Sequence, residues 1–331
     1  MSDSLEPISI TDVEGFSFGH WTNREAATGC TVIVAPHGAA AGVDVRGGAP
    51  ASRETDLLRP ENTVEQVHAV CLSGGSAFGL EAASGVAREL ESRGIGLDVG
   101  PTRVPIVCSS CLFDLAFGDA FVRPDVEAGA AATRLALDGN ATGLAEGTVG
   151  AGTGATVGKL LGMDRAMKGG LGARAFSLGA LKVGAISAVN ACGNVIDPVT
   201  LEPVAGARVS ADGTRIVDLE EGMLDAGAGL TMPLDRTNTT ISCIVTNARL
   251  TKAQATKVAQ MAADAYAHVI RPTHTTNDGD TIYVLASGGA DAPACPLDLL
   301  GLVATRALEA ALVAGCHEAE GICGLPAARD L

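Results

Sequence analysis

Apolar positions in this chain recur with two different periods. Short, β-branched runs at residues 8–13, 30–35 and 40–45 read as strands separated by turns. From residue 62, and more strongly over 76–93, the spacing turns helical, with Leu80, Ala83, Val86 and Leu90 on one face until Gly94 stops the pattern. Residues 104–107 and 112–115 are strand-like, and 126–137 form an alanine-rich helix. Glycine then dominates 147–159 and 168–172, before a β-rich run at 183–189 that ends in Asn190-Ala-Cys-Gly-Asn194. Turn residues, a short strand and the acidic residues 218–221 mark 198–237 as an exposed linker. A strand follows from Thr239. Thr251 and Gln254 then form a capping box that opens a helix to about His268, and a strand at 280–286 precedes a last apolar helix at 296–315. Strand groups and helices mix without regular βαβ alternation or a repeat, which argues for a layered α+β fold.

Composition sharpens the picture of the core. Only 3% of the 331 residues are aromatic, so small aliphatic side chains and 42 glycines must fill it, with backbones packed closely together. The net charge of −15 repels nucleic-acid backbones and anionic membranes and leaves a neutral or cationic small molecule as the easier partner. Residues 1–8 carry acids and lack the basic and apolar segments of a signal peptide, and no run reads as a membrane span, so a cytoplasmic location is expected. Nine cysteines, an odd number scattered through apolar segments, fit reduced and buried thiols. Cys108 and Cys111 have redox or metal spacing but no second pair or histidine at ligand distance, and no histidines pair at metal-ligand spacing; neither metal nor cofactor is expected.

Several glycine motifs approach known fingerprints and then fail. Gly158-Lys159 resembles the end of a phosphate-binding loop, but Thr153 stands in place of its first glycine and Leu160 in place of the magnesium-binding hydroxyl. Residues 150–155 satisfy a relaxed dinucleotide pattern with no acidic residue about 20 positions on. Residues 15–19 fit a nucleophile elbow without the strand and helix that should flank it.

The junction Asn238-Thr239-Thr240, at the entrance to an apolar run, is more informative. A Thr-Thr pair begins many ordinary strands. It is also where a self-processing hydrolase places a nucleophile: a threonine hydroxyl needs a base, and an α-amine freed by cutting the preceding bond, with a pKa of about 7.7 to 8.0, can supply one. Asp278 and Asp280 flank a glycine at the start of a strand, either as a simple Asp-Gly turn or as a carboxylate pair able to orient a hydroxyl. Asn190 ends a strand, as a turn residue or as an oxyanion donor. Lys159 and Lys168 lie in glycine-rich loops, near a ligand or on the surface.

Together these segments resemble the self-processing peptidases that include the L-aminopeptidase/D-esterase, the β-peptidyl aminopeptidases and the nylon-oligomer endohydrolase. The resemblance covers nearly the whole chain. It rests on residues 44–49 (Asp-Val-Arg-Gly-Gly-Ala), 53–56, 72–81 (Leu-Ser-Gly-Gly-Ser-Ala-Phe-Gly-Leu-Glu), 104–107, 150–155, 168–172, 188–191, 238–242 and 278–280. It implies an αββα four-layer sandwich, similar to ornithine acetyltransferase-like and N-terminal-nucleophile hydrolase architectures. It further implies a single domain over 1–331 cut between Asn238 and Thr239 into 1–238 and 239–331, and a homo-oligomer, a tetramer by resemblance. Carried over by position, Thr239 matches the nucleophile, Lys159 and Asn190 match residues around the reacting carbonyl, and Asp278 and Asp280 match the acidic pair. Gly74, Gly75, Ser76 and Phe78 match substrate-binding positions. Phe78 departs from a tyrosine common in relatives, which removes one hydroxyl near the oxyanion. The implied activity is hydrolysis of small peptides, amino-acid amides or linear amide oligomers. Alternatives are acyl transfer of the ornithine acetyltransferase type and a non-catalytic relative that binds a small ligand.

Overall fold

One long strand organises the molecule. In the computed structural model, which describes residues 5–139, 144–227 and 238–331, residues 30–35 and 40–45 are not two strands but parts of one, Thr28–Val45. With strands numbered along the chain, β1 is Glu6–Ile8, β2 Ser17–Asn23, β3 Thr28–Val45, β4 Val67–Ser73, β5 Val107–Cys111, β6 Leu171–Leu178, β7 Leu181–Ala188, β8 Ile241–Thr246 and β9 Thr281–Ala286. The first half of β3 pairs with β2 and β4, and its second half with β9, the register shifting between Val34 and Ala39. One sheet therefore runs β1-β6-β7-β8-β9-β3, and the other β2-β3-β4-β5, with a short edge pair at Ser52–Arg53.

The sheets face each other. Ile33, Val70 and Leu72 of one interlock with Ile186, Val245 and Leu285 of the other in a buried cluster. The second sheet's outer face carries helices α1 (Ala82–Ser92) and α2 (Val126–Asp138) over Val32, Val34 and Cys71. Beyond α3 (Leu219–Gly227), helices α4 (Lys252–Ala262), α5 (Asp264–Val269) and α6 (Leu297–His317) cover the first sheet's outer face, with Val258 and Leu308 packed on Val183, Ile244 and Val284. The order helix–sheet–sheet–helix is the expected α+β four-layer sandwich. Small residues allow its tight spacing: a Cβ on Gly172 of β6 would meet the Ala311 carbonyl oxygen of α6 at 2.0 Å.

Most elements fall where periodicity places them, and the Thr251–Gln254 capping box forms as read. Four further expectations do not hold. The helical reading from residue 62 fails because that stretch leads into β4, whose seven residues are all buried, so it shows the continuous apolar run of a central strand rather than alternation. Residues 112–115 lie past the end of β5, and 10–12 form a 3-10 turn capped by Ser9. The stretch 198–237 is no bare linker: it holds the strand Pro203–Ala205 and α3, and buries Ala205, Ala207, Arg208 and Leu219, while residues 228–237 lie outside the described part. Helix α6 is long and apolar enough to cross a membrane by length and composition, and most of it is buried in the sandwich.

Candidate active site

Strand register brings the sequence-distant residues together at one end of β8. Ala188 of β7 lies antiparallel opposite Ile241, so two residues further out Asn190 comes opposite Thr239, and the Thr239 N–H donates to the Asn190 carbonyl at 3.0 Å. On the other side β9 runs parallel, with Thr281 beside Ile241, which sets Gly279 and Asp280 beside Thr239 and Thr240. The Gly279 N–H donates to Thr239 Oγ1 at 3.0 Å, and the Thr240 N–H to Asp280 Oδ1 at 2.8 Å. A Cβ on Gly279 would come within 2.7 Å of that hydroxyl, so glycine is required for this approach. The Thr239 hydroxyl also donates to the carbonyl oxygen of Asn238, the peptide bond that precedes it. Beyond β9, the segment after β3 holds the acidic loop in place, Arg46 N–H bonding the Asp280 carbonyl at 3.0 Å and Ala49 N–H the Asp278 carbonyl at 2.8 Å.

Lys159, Asn190, Asn238, Thr239, Thr240, Asp278 and Asp280 are all buried. Lys159 Nζ donates to the Asn190 carbonyl at 3.0 Å and to Asn190 Oδ1 at 2.8 Å, so Lys159 and the Thr239 N–H share one carbonyl acceptor. Burial pushes the Lys159 amine down to about 7, against the opposing pull of Cys192, Asp278, Asp114 and Asp280. Burial and then the Asp280 carboxylate push Asp278 up to about 6. Asp278 Oδ2 accepts from the Thr275 N–H at 2.7 Å. The Asn190 amide donates to the Phe113 carbonyl at 3.0 Å. This arrangement places a hydroxyl against a carbonyl group, with an amine and a carboxyl that both titrate near neutrality in the same buried cluster.

The proposed substrate-binding positions connect to this cluster through the chain around Asp114. Gly75 N–H and Thr28 Oγ1 both donate to the Asp114 carboxylate at 2.7 Å, Ser76 N–H donates to the Leu112 carbonyl at 2.9 Å, and Phe113 is the partner of Asn190. Gly74 lies against the same carboxylate. Phe78 is exposed, and the Arg123 guanidinium sits 4.0 Å over its ring. No hydrogen bond among the described residues joins Gly74, Gly75, Ser76 or Phe78 directly to Thr239.

Sequence reasoning missed the Gly279 N–H, Asp114 and His274, whose Nδ1 is 2.9 Å from Asp280 Oδ2. The first two carried no signal, a backbone donor and an isolated aspartate; His274 was visible only as a histidine near the end of a helix. Lys168 is not at the surface: it is buried and donates to three backbone carbonyls. Cys108 and Cys111 are buried in β5, and seven of the nine thiols are buried as expected. A cavity of about 740 Å³ lies elsewhere, between Phe176, Val199, Leu302 and Val313, and shares no residue with the Thr239 cluster.

The sequence pattern of peptidase family S58 matches residues 9–328. The chain belongs to peptidase family S58. It is 39% identical to an uncharacterised aminopeptidase of Mycobacterium tuberculosis, over 98% of this chain and 97% of that protein. It is 31% identical to the 6-aminohexanoate-oligomer endohydrolase of Agromyces sp., over 89% of this chain and 79% of that enzyme. Among solved structures it is similar to the L-aminopeptidase D-Ala-esterase/amidase of Ochrobactrum anthropi, with a TM-score of 0.64 at 20% identity over 96% of this chain and 88% of that one. A β-aminopeptidase of Burkholderia sp. gives a TM-score of 0.64 at 21% identity over 95% and 87% of the respective chains. At these identities the structural likeness speaks for the fold, and the first of the two is described as a variant of the Ntn hydrolase fold. Membership of S58 makes this protein a hydrolase of amide bonds, as the resemblance implied.

Proposed function

We propose that this S58 hydrolase is an N-terminal-nucleophile enzyme that first cuts its own Asn238–Thr239 bond and then hydrolyses small peptides, amino-acid amides or linear amides through an acyl-enzyme on Thr239. The observation that carries this reading is the position of Thr239 Oγ1, held by the Gly279 N–H and set against the Asn238 carbonyl. In maturation Oγ1 attacks the Asn238 carbonyl carbon, the C–N bond breaks, and the hydroxyl proton ends on the departing nitrogen, leaving an ester. Water cleaves the ester and gives fragments of 238 and 93 residues, the second being 331 − 238.

The freed α-amine is the former Thr239 N–H nitrogen, already beside the Asn190 carbonyl. There it shares its acceptor with Lys159, so two amines compete for one carbonyl and neither gains by holding a full charge beside the other. A neutral α-amine takes the hydroxyl proton in each turnover, and Asn190 supplies an amide hydrogen to the oxyanion. The acidic surface suits neutral or amine-bearing substrates, and a relative of this chain carries the name of an amide-oligomer endohydrolase.

Intact-mass spectrometry of the purified protein tests the maturation step. The wild type is expected as two fragments, Thr239→Ala as one uncut chain, and Thr240→Ala as two fragments. An uncut wild type under native conditions removes the proposal, and an uncut Thr240→Ala beside a cut Thr239→Ala moves the nucleophile by one residue.

A further inference from the structure

We infer that His274 is a positioning residue that fixes the Thr239 nucleophile by clamping the peptide unit after it, an inference that rests on the reading in which Thr239 carries the chemistry. Thr240 is held at both ends. Its N–H donates to Asp280 Oδ1 at 2.8 Å, and its carbonyl accepts from the Tyr266 hydroxyl at 3.1 Å. His274 touches both holders. Its Nδ1 lies 2.9 Å from Asp280 Oδ2, its backbone N–H donates to the same oxygen at 3.2 Å, and its ring stacks on Tyr266 with centroids 5.3 Å apart and planes 22° apart. Because an ionised carboxylate only accepts, Nδ1 is the donor.

The rest of the environment narrows what this side chain does. Nε2 is buried with no hydrogen-bond partner among the described residues, so the ring acts through Nδ1 and its face. The Tyr266 hydroxyl is shared with Ser242 Oγ at 2.7 Å, which ties it to β8, and the Thr240 carbonyl also accepts from the Thr281 N–H at 3.3 Å, so the contact that His274 adds is the one to Asp280. His274 sits at φ 55, a left-handed backbone conformation in which histidine, asparagine and aspartate are enriched. Without the imidazole, Asp280 Oδ1 keeps the Thr240 N–H, while Oδ2 loses its shortest partner and keeps only the His274 N–H at 3.2 Å and the Thr273 hydroxyl at 3.4 Å. The Thr240 peptide then gains a rotation that carries Thr239 Oγ1 off the Gly279 N–H.

Two substitutions separate the two contacts. His274→Asn keeps a donor near the Nδ1 position and tolerates the left-handed backbone, whereas His274→Phe keeps the stack on Tyr266 and loses the hydrogen bond. Self-cleavage is followed as a time course in cell-free synthesis, and turnover of a chromogenic amino-acid anilide is measured on the matured protein. His274→Phe is expected to slow self-cleavage and lower kcat by about 10- to 100-fold with KM changed less than about threefold, the size expected for a misplaced nucleophile. His274→Asn is expected to recover self-cleavage to within about fivefold of wild type. A His274→Phe protein that cleaves at the wild-type rate overturns the inference, as does a His274→Asn protein impaired as severely as His274→Phe. If His274→Phe does not fold, as read by melting in the uncut Thr239→Ala background, the Asn variant decides alone: self-cleavage slowed more than about tenfold overturns the inference. An uncut wild type, by contrast, removes the Thr239 reading itself.

Discussion

Lys159 and Lys168 come from one glycine-rich stretch, both are buried, and burial pushes both amines down to about 7. Their partners differ. Lys168 Nζ donates to the carbonyls of Gly152, Ala155 and Gly169 at 2.9, 2.6 and 2.7 Å, three acceptors for the three protons of an ammonium group. Those carbonyls belong to the loops that fold around it, and such a set favours the charged form in spite of burial. Among the described residues Lys159 directs two bonds at Asn190, whose carbonyl also takes the Thr239 N–H. Two lysines with the same burial and the same downward shift thus do different things: one closes a loop, and the other adjoins the bond proposed for cleavage. A perturbed pKa marks both, and only the acceptors separate them.

Removing each lysine tests that separation, with stability read by urea unfolding in the uncut Thr239→Ala background. The larger loss of stability is expected for Lys168→Met, which strands three buried carbonyls and lowers stability by at least about 3 kcal/mol. A Lys168→Met protein as stable as its parent means that those loops do not depend on the ammonium. Lys159→Met is expected to cost less than about 2 kcal/mol, because Asn190 keeps other donors: Thr156 N–H on its Oδ1 at 3.0 Å and Thr239 N–H on its carbonyl. In the self-processing background the same change is expected to slow cleavage by about 10²-fold or more, the range for losing one donor beside the reacting carbonyl. Cleavage at the wild-type rate places Lys159 with Lys168 as a structural group.

The sequence carried these two regions unequally. Periodicity places α2, α4, α6, β7 and β9 to within a few residues, because each buries one face or lies between apolar layers. It misreads the approach to β4, where a run buried on both faces lacks the alternation of a half-exposed strand. Thr239, Asn190, Asp278 and Asp280 were legible as a set through resemblance, and their meeting follows from register: an antiparallel pair brings Asn190 to Thr239, and a parallel pair brings Gly279 and Asp280. The three carbonyls on Lys168, the His274 ring on Tyr266 and the Gly279 N–H depend on loop conformation and backbone direction, which residue identity does not encode at those positions. For the same reason Lys168 was indistinguishable from a surface lysine.

A charge test at Asp278 separates the lysines by a smaller effect. The Asp278 carboxyl rises from 3.8 to about 6 on folding, so the folded protein holds that proton more tightly than the unfolded chain. This contribution to stability is fully present below pH 3.8 and is lost as the pH rises through about 6. Lys159 falls from 10.5 to about 7; its contribution is present above 10.5 and is lost as the pH falls through 7, so at pH 8 the amine is mostly neutral and offers Asp278 little compensation. Asp278→Asn keeps an acceptor for the Thr275 N–H and removes the buried charge. In the Thr239→Ala background it is expected to exceed its parent in stability by about 2 kcal/mol at pH 8, with the difference closing near pH 4. No gain at pH 8 means that a charged Lys159 already balances the carboxylate, which makes Lys159 an ammonium like Lys168.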